Sequence, residues 1–66
     1  MHLNLGTWKS LIGHIFNLSK DGEQYQGYLQ EVKRGRWLVF TVPLAGREPW
    51  TLVIDRHNQK YEVSIP

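Results

Sequence analysis

Residues 33–37 read Lys-Arg-Gly-Arg-Trp, three cations crowded around a glycine with an indole directly after them. Cationic side chains hold phosphates and aromatic faces stack bases, and small β-domains combine the two to bind single-stranded nucleic acid. Period-two alternation puts Trp37 on the face opposite Leu38 and Phe40, and puts Tyr28 on the same outward side of the preceding strand. Arg56 and Lys60 extend the charge from a later turn. The candidate residues for binding nucleic acid or a partner are therefore Tyr28, Lys33, Arg34, Arg36, Trp37 and Arg56. A plainer reading stands beside this one. Lys and Arg are ordinary in turns, and Trp37 with Tyr28 can form a cross-strand pair or sit in a subunit interface.

That second reading leads to a different function. An outer surface of Tyr28, Trp37, Val39 and Val53 needs covering, and the edge strands of a small sheet recruit partners by strand addition. The primary expectation is a non-catalytic binding module, acting through protein-protein interaction or homo-oligomer assembly. The alternative is single-stranded RNA or DNA binding through the basic-aromatic turn.

Catalytic chemistry has no comparable footing, and no catalytic residue, cofactor or metal is assigned. No nucleophile stands at motif spacing from a base, and there is neither a Gly-rich phosphate loop nor a carboxylate pair. Asp21 in a turn and Asp55 at a strand end suit those places for backbone reasons. His2, His14 and His57 are scattered in sequence and would have to converge with a further ligand to hold a metal. Net charge is +2, compatible with a polyanion but weaker than the dense patches of dedicated nucleic-acid binders.

At 66 residues the chain is one domain, and a domain this small buries only about 60% of its unfolded surface. It has no cysteine to staple it, but three Trp, three Tyr and two Phe supply large buried area per residue. No apolar run approaches the roughly 18 residues of a membrane span, so no membrane partner is expected. The opening MHLNLGTWKS lacks the features of a signal peptide, and a cytoplasmic location is expected. Asn17-Leu18-Ser19 then matches the glycosylation pattern by chance.

The elements that must position the turn follow from local chemistry. Asp21-Gly22 is a hairpin signal between apolar runs. Gly27, inside the next strand, marks a bulge, a sharp bend or a close backbone approach. Strands are expected at Gln24–Val32, Arg36–Pro43, Trp50–Asp55 and Lys60–Ile65. Pro43 and Pro49 bound the loop between the second and third of these. Short connections predict an antiparallel meander. The expected inner set is Leu18, Tyr25, Leu29, Leu38, Phe40, Val42, Leu52, Ile54, Tyr61, Val63 and Ile65, capped by Trp8, Leu11 and Ile12.

Residues 7–19 support two readings. Trp8, Leu11, Ile12, Ile15 and Phe16 match the template of one amphipathic helix. Gly13 and the weak helix formers Ile12, Ile15 and Phe16 favour a split instead: a helix over Thr7–Ile12, with Thr7 as candidate N-cap, then a strand over His14–Ser19. The split gives a mainly β fold, a small five-stranded antiparallel meander barrel of SH3-like form with a short N-terminal helix. The continuous helix gives an α+β fold, one helix on a four-stranded antiparallel sheet.

From Leu11 to Phe40, less than half the chain, the sequence resembles the first half of Sm-like proteins, the family that includes the bacterial RNA chaperone Hfq. Those chains open with a short helix. A bent hairpin follows with a glycine in its turn, a second glycine five residues on and an aliphatic residue two beyond. Here Gly22, Gly27 and Leu29 occupy those places, introduced by Leu11-Ile12-Gly13. The spacing is shared with other SH3-like barrels. The resemblance implies a small barrel, ring assembly and RNA binding. The family's base-binding Asp and Asn after the second strand are replaced by Lys33, Arg34, Gly35 and Arg36. Its later Arg-Gly pair is replaced by Asp55-Arg56-His57-Asn58. Its base pocket therefore does not transfer to these positions.

Overall fold

The computed structural model describes residues 2–66. The split at Gly13 holds. Helix α1 runs Leu5–Ser10, and its N-cap is Asn4 rather than Thr7. Asn4 has the extended backbone a cap requires, and its Oδ1 accepts the Thr7 N–H at 2.8 Å. Thr7 lies at the third helical position, so it is the donor being capped. Gly13, at φ +93°, turns the chain into β1, Ile15–Lys20. Gly13 N–H donates to Leu29 O at 2.7 Å and Leu29 N–H to His14 O at 3.0 Å. The segment after the helix is thus stitched to the sheet, and a continuous helix through Asn17 is excluded.

The hairpin forms at Asp21-Gly22. Both take positive φ, +52° and +80°, as a two-residue turn matched to strand twist requires. Lys20 faces Glu23 across it, and β2 runs Glu23–Lys33. Of the meanings a strand glycine carries, Gly27 has the close approach: a Cβ there would stand 2.8 Å from Thr41 O. The register shift comes further on, between Leu29 and Glu31. This bulge inserts one residue, so Leu29 and Val32 both turn toward the core although three positions separate them.

Strand β3, Trp37–Val42, lies between β2 and β4, Trp50–Asp55. The meander ends there. The last strand, β5, is only Glu62–Ser64, and it pairs with β1, placing Val63 opposite Leu18. The cause is the connection. Asn58 Oδ1 accepts both Lys60 N–H at 2.9 Å and Tyr61 N–H at 2.6 Å. Residues that would have opened a hairpin with β4 are held in a turn, and the chain crosses to β1. The sheet order is β4-β3-β2-β1-β5. The fold is mainly β, one curled antiparallel sheet with a short N-terminal helix, barrel-like but not closed: β4 and β5 do not pair.

The curl wraps the apolar faces around an aromatic line. Trp8 packs on Phe16 and Phe16 on Phe40, each pair with ring centroids 5.6 Å apart. Phe16, fully buried, is a core residue absent from the expected inner set. Conversely, Ile12 and Ile65 are exposed, Ile12 in the turn after α1 and Ile65 beyond the end of β5. Tyr25, Leu52, Tyr61 and Leu11 are half-buried against the core. No helix among the described residues is long and apolar enough to cross a membrane.

Candidate functional site

The Lys33–Trp37 segment forms the β2–β3 turn. Arg34 and Gly35 both carry positive φ, +55° and +68°, and Arg36 N–H donates to Lys33 O at 3.1 Å. Gly35 adopts this conformation freely, whereas Arg34 does so at some cost. The turn packs toward α1, since a Cβ on Gly35 would meet Leu5 Cδ2 at 3.2 Å.

The structure divides the four candidate cations into two pairs. Arg36 donates from Nε and Nη2 to Asp55 Oδ2 at 3.1 and 2.9 Å, and its guanidinium lies 4.7 Å from the Trp37 ring centre. Arg56 donates from Nε to Gly35 O at 3.1 Å, while its backbone N–H reaches Arg36 O at 2.8 Å. Both arginines clamp the β2–β3 turn to the end of β4. The other two, Lys33 and Arg34, are exposed and form no salt bridge among the described residues.

Lys33, Arg34 and Trp37 line one open groove of about 550 Å³ on the outer face of β2, β3 and β4. Gln30, Glu31, Thr51 and Val53 complete its sides, with Val39, only 6% exposed, between them. Tyr28 stands apart. It is opposite Thr41, not Trp37, and lines a separate hollow with Ile15 and Pro43. The expected Tyr28–Trp37 pair therefore does not form. Lys33 is the residue opposite Trp37.

Gln30, Glu31 and Thr51 were not among the sequence candidates. The bulge brings both Gln30 and Glu31 outward, and Gln30 Oε1 accepts the hydroxyl of the buried Thr41 at 2.6 Å. The sequence signal for it was present: Leu29 and Val32 break period two by one residue.

Asp55 is the electrostatic centre of the clamp. The His57 N–H, on Oδ1 at 2.9 Å, and then the Arg36 guanidinium hold its carboxyl below the ordinary carboxylate value. A folded-state pKa below the unfolded one stabilises the fold at pH above the ordinary value of 3.8. That contribution is lost as pH falls through the folded value. Asp55→Asn should therefore lower the urea midpoint at neutral pH, and the two curves should converge in acid. A gap that persists unchanged below the carboxylate range would show that the charge on Asp55 is not its source.

Among the described residues no three His, Asp or Glu side chains gather as metal ligands. Comparison of the chain with protein-family models, curated proteins and solved structures gives no match.

Proposed function

We propose that the protein is a non-catalytic binding module whose working form is a homo-oligomer assembled edge to edge. The observation that carries this reading is the pair of unpaired strand edges, β4 at one end of the sheet and β5 at the other. An open edge is a row of unmet backbone donors and acceptors, a template for another strand. Large apolar side chains flank both edges: Trp50 on β4 is 49% exposed and Ile65, just past β5, is 50% exposed. Pairing β4 of one copy with β5 of the next would cover both. Such a contact is head to tail, and it closes into a ring when the rotation allows. The resemblance to Sm-like proteins implies the same kind of assembly. It would also offset the thin margin of a core this small.

Light scattering tests the proposal. The wild type should have a mass that is a multiple of 7.8 kDa. Trp50→Lys, which sets a charge on the β4 edge, should return it to the monomer. A wild type at monomer mass at micromolar concentration overturns the reading.

A second reading has its own observation: Lys33 and Arg34 share the groove with Trp37. An indole for a base beside two cations for phosphates is a single-strand site in miniature. Arg36 is held by Asp55, so the double variant Lys33→Ala/Arg34→Ala is the informative one. Neutralising two phosphates gives a log–log salt slope of about −1.4 per copy for a labelled single strand. The double variant should lose that slope along with the binding. Absence of salt-sensitive binding by the wild type removes this reading and leaves the assembly proposal intact.

A further inference from the structure

Trp8 is 1% exposed, yet its indole N–H is a buried side-chain donor with no hydrogen-bond acceptor among the described residues. Leaving such a donor unmet costs about 1–3 kcal/mol, and folded proteins rarely accept it. Trp8 also forms part of the wall of a cleft of about 230 Å³, distinct from the groove beside Trp37 and more enclosed. The apolar side of the cleft is Trp8, Leu38 and Val63, all core residues. Its polar rim includes Arg56, Asn58 and Glu62.

The rim is biased toward donors by bonds already made. Asn58 Oδ1 is taken by two backbone N–H groups, of Lys60 and Tyr61, which leaves the NH₂ end of its amide. Arg56 spends Nε on Gly35 O, which leaves its terminal nitrogens. With the Trp8 N–H, the unmet groups around the cleft ask for an acceptor. Charge sets how much of one. A single guanidinium accompanied by the Glu62 carboxylate suits one negative charge and resists the larger charge of a phosphate.

We infer that this cleft is a binding site for a small carboxylate, received by the Trp8 indole N–H, the Arg56 guanidinium and the Asn58 amide. It is independent of edge-to-edge assembly, since none of these residues belongs to β4 and only Glu62 and Val63 of the cleft belong to β5.

The experiment follows the indole N–H signals in ¹H–¹⁵N correlation spectra of the full chain. Trp37→Phe and Trp50→Phe identify two of the three, and Trp8 is the third. Sodium acetate should move the Trp8 signal saturably, while sodium chloride and inorganic phosphate at equal ionic strength should not. Asn58→Asp keeps the oxygen that holds the turn and replaces the amide donor with a second acceptor, so it should abolish the response. Arg56→Gln should weaken it about tenfold. A Trp8 signal unmoved by acetate overturns the inference. So does one moved as strongly by chloride or phosphate, or one whose acetate response survives Asn58→Asp.

Discussion

Phe16→Ala should leave a chain without a cooperative urea transition at 25 °C, or with one whose midpoint has fallen by half or more. Stability for a domain of this size is on the order of 3–10 kcal/mol, from roughly 0.05–0.15 per residue. Removing a fully buried Phe costs about 3–5 kcal/mol. Phe16 is the middle ring of the Trp8–Phe16–Phe40 line, so the cavity would open between the helix and the sheet. The surroundings have little left to collapse into it. The control is the next residue back. Ile15 is exposed on the other face of β1, and Ile15→Ala should shift the midpoint little. The pair of measurements also reports secondary structure, because on one helical face the two residues would share the burial. Near-equal effects of the two substitutions would contradict the strand.

Phe16 shows why this stretch was hard to read in sequence. Trp8, Leu11, Ile12, Ile15 and Phe16 satisfy helical spacing, and Phe16 with Leu18 satisfies strand spacing. The sequence contains both patterns at once. The choice falls to Gly13, whose positive φ ends the helical run, and to tertiary hydrogen bonds with Leu29 that no local pattern reveals. The Asp21-Gly22 and Arg34-Gly35 turns were legible because turn chemistry lies within four residues. The partner of β5 was not. Strand pairing across the chain is decided by which edge completes the core, and Val63 finds Leu18 rather than a residue of β4.

The same division runs through the candidate site. Lys33, Arg34 and Trp37 were found because they lie within five residues of one another and the groove keeps them together. Arg36 and Arg56 carry the same charge in the same sequence neighbourhoods, but their roles depend on β3–β4 register. Trp37 stands opposite Asp55, so Arg36 meets a carboxylate at the first step beyond the ladder. Counting cations overstated the free charge of the turn by two.

The second large effect is expected at Gly27, where the usual rule for strand glycines should reverse. Replacing a glycine by alanine within a strand normally gains about 0.5–1 kcal/mol, because the unfolded chain loses freedom. Here the new Cβ would stand 2.8 Å from Thr41 O and 3.0 Å from Val42 Cγ2. The first obstacle is backbone of the neighbouring strand, which cannot rotate aside as a side-chain tip would. Relief requires β2 and β3 to part, next to the point where Tyr28 faces Thr41. Overpacking of this kind costs about 1–3 kcal/mol, enough to outweigh the entropic gain. Gly27→Ala should therefore lower the urea midpoint and shift the amide signals of Thr41 and Val42. The strain should also reach the groove, because the Thr41 hydroxyl is tied to Gln30 in the bulge. Gly22→Asn provides the contrast: that position needs a positive φ, which Asn tolerates, and meets no neighbour within 4 Å. Its midpoint should stay close to wild type. If Gly27→Ala proves as stable as the wild type, the close approach of β2 and β3 does not govern this part of the curl, and the bend must rest on the bulge at Gln30 alone.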